Sequence, residues 1–362
     1  MSNSLVTINL VVLNGEKYIR HCLDGILAQS YPKELIEFNI LDNGSSDNTK
    51  SIIGNYKLQI INYKFSRFNL IELEKNVGVW PGQEMLLKYS NSKYVLGLCV
   101  DVLLDKDFVK NAVAVMEKDK QIGALQAKIY KYEISSLQAN KLISLQAGVI
   151  DTLGFQIFKS RRVINIGHGE TDNGQFGEEK EIFGVEGACP FFRMEALEDC
   201  RINIQNSKLN IHSEIFDHDY FWYGDDFDFA WRMNIFGWKQ VFAPSVIAWH
   251  DRQTTKSLKK NWLDYLFRVP VRHQIPIKKR RLDWRNNRWT IIKNDYTISV
   301  LKDLPYFLVR ELMVLGYSVL FEPGIFLELP EFLKKLPKMF KKRKEIMKKA
   351  KISPEQIHKF FK

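Results

Sequence analysis

Alternation of short apolar runs with helical periodicity constrains this chain's fold more than any other feature. Residues 6–13 (VTINLVVL) are apolar, of strand length, and stop at an Asn14-Gly15 turn signal. Ile19, Cys22, Leu23, Ile26 and Leu27 follow at spacings of three and four, which predicts an amphipathic helix that ends before Tyr31-Pro32. Residues 36–41 (IEFNIL) read as a second strand. They run into DNGSSDNT, where Asp, Asn, Gly and Ser supply turn chemistry and a cap for the next helix. Residues 94–100 (YVLGLCV) make a further strand ending at Asp101. Strands alternating with helices predict a mostly parallel α/β sheet. Asn14, Asp42 and Asp101 then lie just past the C-terminal ends of their strands, where open α/β sheets bind ligands.

With 362 residues the chain has room for one large domain and an appendage, or for two domains. Its four cysteines (Cys22, Cys99, Cys189 and Cys200) show no Cys-x-x-Cys spacing. That argues against a zinc ribbon or a disulfide scaffold and fits a reducing compartment. The N-terminal MSNSLVTINLVVLNGEKY lacks a basic region and a small-residue cleavage site, so no signal peptide is expected. No run of about 18 apolar residues is free of charge, so an uninterrupted membrane-spanning helix is not expected either. The net charge of +11 is uneven: residues 251–362 hold 27 of the 53 Lys and Arg but 11 of the 42 Asp and Glu. The basic character belongs to the C-terminal third, and the first 250 residues are slightly acidic.

Residues 216–232 (FDHDYFWYGDDFDFAWR) pose the sharpest chemical question. An aromatic approach runs into Asp225, Asp226 and Asp228, after which the pattern turns helical. Adjacent carboxylates repel, and a sequence that keeps them supplies a cation, a proton or a helix N-terminus. Asp228 and Arg232 stand four apart and are expected to form an ion pair along the helix.

Four blocks, in order, resemble family 2 glycosyltransferases of the GT-A fold, and within that family the rhamnosyltransferase-type branch. They are VTINLVVLN…LAQSYP; ILDNGSSDNT; NVGV…YVLGLCVDVLLDKDFV; and GVEGACPFFRMEAL…FDHDYFWYGDDFDFAWRMNIFGWKQVFAPSVIAWH. The resemblance covers roughly residues 5–250 and, weakly, RNNRWTIIKN. This chain departs from the pattern in three places. Val11-Val12-Leu13-Asn14 replaces Pro-Thr-Tyr-Asn, Cys99-Val100-Asp101 replaces the Asp-x-Asp or Asn-Pro-Asp metal motif, and Asp225-Asp226 replaces Glu-Asp. A thiol at Cys99 is a poor ligand for magnesium, which prefers oxygen.

The resemblance implies an α/β GT-A domain over residues 1–250, Rossmann-like with helices on both faces of its sheet, followed by a basic, mainly helical region over 251–362. It implies inverting transfer of a sugar, with rhamnose as first guess, from a nucleotide diphosphate donor to a hydroxyl of a glycan or lipid-linked glycan. Asp226 takes the place of the base, with Asp225 orienting the acceptor or raising the basicity of Asp226. Phe221, Trp222 and Tyr223 would form a sugar-stacking wall for the acceptor. Asp101 would hold a divalent cation (Mg2+ or Mn2+) or the diphosphate-sugar, with His250 as a second metal ligand. Asn14, Asp42, Asn76 and Gly78 would line the nucleotide pocket, and Gly187-Ala188 would let the backbone approach the donor sugar. Asp105 and Asp107 read as solvated or capping residues.

Residues 305–333 are highly apolar but interrupted by Arg310, Glu311 and Glu322, and KKLPKMFKKRKEIMKK follows. Together with RRLDWRNNRW, they suggest an in-plane contact with an anionic membrane, placing the protein at the cytoplasmic face. The simpler alternative is helices packed on the catalytic domain with solvated lysines. Two other functions stay open at this level: a nucleotide-sugar binder that has lost turnover, which Cys99 favours, and a nucleic-acid binder driven by the basic tail. The tail lacks a recognisable nucleic-acid module, so no nucleic-acid partner is expected.

Overall fold

A computed structural model describes residues 4–134, 148–207, 210–252 and 272–362. Residues 253–271, part of the C-terminal region expected to be helical, lie outside this description.

The N-terminal half follows the sequence pattern. β1 (Val6–Val12) pairs in parallel with β2 (Ile36–Asp42) and β4 (Tyr94–Cys99), and β2 pairs in parallel with β3 (Arg67–Glu72). Every residue of β1 and β2 is buried, as for strands covered on both faces. The crossovers are α1 (Ile19–Leu27), α2 (Thr49–Asn62) and α3 (Val79–Leu87). α1 buries the predicted stripe, Ile19, Cys22, Leu23, Ile26 and Leu27, partly against β5 (Val102–Leu104).

The sheet then changes character. The short strand Phe191–Arg193 lies antiparallel between β4 and β6 (Ile122–Lys131). β6 pairs in parallel with the long strand Lys239–His250, which carries β5 and the strand Lys180–Glu181 antiparallel on its outer side. The result is a mixed, ten-stranded sheet whose N-terminal half is parallel. Helices α4 (Phe108–Met116), α5 (Met194–Asp199) and α6 (Asp225–Ile235) cover the second half.

The C-terminal helices join the same body. They are α7 (Ile277–Asn294), α8 (Thr297–Lys302), α9 (Leu304–Phe321), α10 (Leu329–Lys348) and α11 (Pro354–His358). Ile291, Ile346, Ile357 and Phe361 enter one apolar cluster with Phe183, Phe227 and Trp231 of the catalytic half. Lys293 and Lys342 are fully buried, so the basic tail is not uniformly turned to solvent or lipid. Burying a lysine requires a counter-charge, and the sequence holds those carboxylates 65 or more residues upstream, out of sight of local pattern. α9 is, by length and composition, apolar enough to cross a bilayer (18 residues, mean hydropathy 1.4), with 6% of it buried.

Candidate active site

The aromatic residues before α6 lie on a strained loop. Phe221, Tyr223 and Gly224 have φ of 63°, 71° and 78°, a left-handed conformation that costs energy at the two aromatic residues. A single buried side chain holds them: the Asn286 amide on α7 faces the carbonyls of Tyr220 (3.2 Å), Trp222 (2.9 Å) and Tyr223 (2.6 Å). Phe221 and Trp222 are left 41% and 42% exposed, an open aromatic surface. Lys279 lies over the Tyr223 and Trp222 rings, 4.1 and 5.4 Å from their centroids.

Gly224 then starts α6, and Asp225 and Asp226 fall in its first turn. Asp226 accepts from the Phe227 N–H (2.8 Å) through Oδ1 and from the Gly187 N–H (3.3 Å) through Oδ2. Asp225 accepts from the Asp226 N–H at 3.2 Å. Among the described residues, neither has a cation within ion-pair distance. Burial, followed by the charge of Asp226, pushes Asp225 up to about 8. Burial, followed by the charge of Glu186, raises Asp226 to about 7. Glu186, rather than Asp225, is thus the main carboxylate raising the basicity of Asp226.

Gly187 is closely packed. A Cβ there would stand 3.1 Å from the Trp80 ring and 3.2 Å from Asp226 Oδ2, so a side chain would require the ring and the carboxylate to give by a few tenths of an ångström. Its carbonyl accepts from the Cys99 thiol at 3.6 Å. The thiol therefore points to backbone, and burial pushes its pKa well up, away from the thiolate a metal would need.

Asp101 and His250 come from β4's end and the end of Lys239–His250, 149 residues apart in sequence. His250 Nε2 stands 3.3 Å from Asp101 Oδ2, and Nδ1 stands 2.9 Å from Asp151 Oδ2. Burial opposes a charge on His250, but hydrogen bonds to Asp101 and Asp151 outweigh it and raise its pKa to about 9. Arg252 holds Asp151 (2.8 Å) and Glu186 (2.8 Å). Oxygen and imidazole nitrogen suit Mn2+ or Mg2+ better than the thiol does, and Asp151 behind the imidazole provides the orienting partner that metal-bound histidines use. The residues present therefore fit a divalent cation at Asp101 and His250, with Cys99 outside the donor set. Among the described residues, no cluster of three or more His, Cys, Asp or Glu forms a complete cage.

On the nucleotide side, Asp42 is fully buried at the end of β2. Its Oδ2 accepts from the Ser45 N–H (3.3 Å), and its Oδ1 has no hydrogen-bond partner. Asn14 (φ 49°) is exposed and accepts from the Ser46 N–H at 2.9 Å, tying β1 to the DNGSSD loop. Asn76 caps its own turn by accepting from the Gly78 N–H at 2.8 Å. Asn43, not singled out from sequence, fixes that turn through Asn76 Oδ1 (3.0 Å), the Gly78 carbonyl (3.1 Å) and the Val77 N–H (2.9 Å). Gly78 (φ 97°) sits against the Phe221 carbonyl, so the nucleotide turn meets the aromatic loop. Asp105 and Asp107 stay outside the site. Asp105 accepts from the Asp107 N–H and Asp107 accepts from Ser30.

Sequence reasoning missed Glu186, Asp151, Arg252, Asn43 and Asn286. The first three form one chain of ion pairs assembled from positions 66 and 101 residues apart, for which no local signal exists. Asn286 lay in the weakly matching RNNRW segment, which was its one signal.

A mixed sheet with its ligand edge at β1, β2 and β4, a carboxylate pair at a helix start and an Asp-His pair beneath it define a GT-A-fold protein. A family model for glycosyl transferase family 2 matches residues 7–201, more than half of the chain, and the chain belongs to that family. It is similar to poly-beta-1,6-N-acetyl-D-glucosamine synthase of Staphylococcus epidermidis, 28% identical over 45% of this chain and 41% of the relative. The chain thus matches less than half the length of that relative. Among solved structures, GalNAc-T7 with UDP, GalNAc and Mn2+ shares the fold over 98% of this chain and 56% of its own (TM-score 0.62, 12% identity). The mannosyltransferase PcManGT from Pyrobaculum calidifontis, in complex with GDP-Man and Mn2+, shares it over 96% and 86% (TM-score 0.51, 15% identity). Identities this low speak to fold alone.

Proposed function

We propose that the protein is an inverting glycosyltransferase that moves a sugar from a nucleoside diphosphate donor to a hydroxyl of a cell-envelope glycan, free or lipid-linked, with Asp226 as general base. The observation that carries this reading is the Asp226 carboxylate: buried, raised to about 7 by burial and the Glu186 charge against the opposing charge of Arg252, and held by the Gly187 N–H. A base poised near neutral pH combines a useful ionised fraction with real basicity. Asp226 takes the proton of the acceptor hydroxyl as its oxygen bonds to the anomeric carbon. The bond from that carbon to the diphosphate oxygen breaks, and the nucleoside diphosphate leaves. Asp225, also raised by burial and the neighbouring carboxylate, orients the acceptor. Trp222 and Tyr223 stack against the acceptor sugar and exclude water.

Asn14, Asp42, Asn76 and Gly78 hold the nucleotide. The unpartnered Asp42 Oδ1 is ready for an N–H of the base. Asp101 and His250 would hold a divalent cation, which when bound neutralises charge on the diphosphate. Gly187 admits the donor sugar. In this reading residues 1–250 perform the transfer and 251–362 brace it and place it at a membrane.

Two donors are supported by different features. The sequence blocks resemble the rhamnosyltransferase branch and favour dTDP-rhamnose. The N-acetyl-D-glucosamine polymer named for the relative favours an N-acetylhexosamine donor, which we place first. Nucleoside diphosphate release from a panel holding both, with and without Mn2+, tests this. Release from one donor, lost in Asp226→Asn, is expected. Absence of both binding and release for every donor would overturn the reading. Binding without release would favour a turnover-deficient binder, the reading that Cys99 in the metal motif keeps specific.

A further inference from the structure

Helix α9 is inside out. The residues it turns toward the protein include Arg310, Glu311, Tyr317 and the buried Ser318. Every exposed residue between Leu304 and Phe321 is uncharged, and nearly all are apolar. Leu308, Val309, Leu312, Met313, Val319 and Leu320 are between 48% and 73% exposed. An apolar face of this length, roughly 27 Å, is not left to water without a partner.

The polar face shows why α9 does not stand across a bilayer. Glu311 pairs with Arg288 of α7 at 2.5 Å, and Arg310 reaches Glu311 (2.8 Å) and Asn287 (3.3 Å). Crossing would pull α9 off α7 and strip these charges of their partners.

The neighbouring surface is basic. After the turn Pro323–Glu328, α10 exposes Leu333 and Phe340 (53% and 56%) beside the exposed Lys334, Lys341, Lys344 and Lys348. Its opposite face turns Lys335, Lys338 and Lys342 inward to Asp219. Two of these lysines pair only within α10, Lys334 with Glu331 (4.0 Å) and Lys348 with Glu345 (2.7 Å). An apolar helix face flanked by exposed lysines matches a bilayer surface with anionic headgroups: acyl chains meet the leucines and phosphates meet the lysines.

We propose that the outward faces of α9 and α10 form one docking surface for an anionic bilayer, with α9 lying in the membrane plane. Two residues of α7, two positions apart, serve both ends of this arrangement. Asn286 holds the acceptor loop and Arg288 holds α9, so docking fixes the aromatic wall relative to the lipid. The inference deepens the proposed transfer to a lipid-linked acceptor and rests on it only for its purpose.

Flotation of the full chain tests it, using vesicles of phosphatidylcholine alone or of equal parts phosphatidylcholine and phosphatidylglycerol. The protein is expected to float with the mixed vesicles. The pair Leu312→Glu and Leu320→Glu should lower the bound fraction about tenfold. The pair Lys334→Glu and Lys344→Glu should remove the preference for phosphatidylglycerol. Both should keep the wild-type melting temperature and nucleoside diphosphate release. Wild type that stays with neither vesicle, or leucine variants that float as well as wild type, would overturn the proposal. A dimer that the leucine variants dissociate, without vesicle binding, would assign the face to a second copy and overturn it as well. Flotation and nucleotide release fail separately, so loss of one reading leaves the other standing.

Discussion

Two groups of carboxylates, a few residues apart, meet opposite fates. Glu214, Asp217, Asp219 and Asp228 are gripped by lysines from the C-terminal helices. Lys342 of α10 contacts Asp217, Asp219 (2.8 Å) and Glu214 (2.6 Å), and Lys293 of α7 contacts Asp217 and Asp228 (2.9 Å). Burial opposes the charge on Asp217, but the two lysines hold its pKa well below the usual range. Asp225 and Asp226 are given no lysine. They receive a helix start, a few backbone N–H groups and a raised pKa. The fold thus neutralises the carboxylates it uses to brace the loop and leaves Asp225 and Asp226 with raised pKa values. Asp228 shows how fine the division is: the expected pair with Arg232 exists at 3.5 Å, yet Lys293, Asn294 and Tyr220 bind it more closely.

The comparison breaks most visibly at Asp226. Asp226→Asn keeps shape and hydrogen-bond capacity but cannot take a proton, so turnover should fall by about 10²–10⁴-fold at unchanged melting temperature. The braced group should respond in stability. Lys342→Met leaves buried carboxylates without their cation and should cost about 3–5 kcal/mol in denaturant unfolding, whereas Lys342→Met with Asp217→Asn should cost less.

Asn286→Ala joins the two behaviours. It frees the strained loop, and about 1–3 kcal/mol of stability should be lost along with a larger fall in turnover on acceptor than in donor binding. Steady-state kinetics on the acceptor and nucleotide titration separate these effects.

The pH dependence of stability should also split the two groups. A lowered folded pKa gives Asp217 a stabilisation present above its ordinary 3.8 and lost as pH falls below it. A raised pKa does the reverse for Asp225: the folded state binds the proton more tightly, so stability drains as pH rises from about 4 toward 8. Asp225→Asn should flatten the alkaline side of a melting-temperature profile and leave the acid side intact. The smallest effect belongs to Glu186→Gln. Removing that charge favours ionised Asp226 and should move the acid limb of activity down by about half a unit.

Legibility from sequence followed the same division. The parallel half could be read because apolar period and turn chemistry are local, and α1 buries the predicted stripe. The antiparallel insertion Phe191–Arg193 is three residues long inside an apolar stretch, too short for any period to show. Asp226, Asp101, His250 and Gly187 stand in contiguous blocks, and the structure sets Asp101 against His250 and Gly187 against Asp226. The residues that hold them, Arg252, Glu186, Asp151 and Asn286, are single polar positions whose meaning exists only in the folded chain. Lys293 and Lys342 were hidden by their own company: within a lysine-rich tail, nothing marks the two that turn inward.

The most direct test of the central claim is the pH profile of nucleoside diphosphate release for wild type and Asp226→Asn, using the donor found active. An acid limb near pH 7 in wild type, with a small pH-independent residue in the variant, is the expected result. A limb near the ordinary carboxylate value of 3.8, or variant activity close to wild type, would contradict Asp226 as the base.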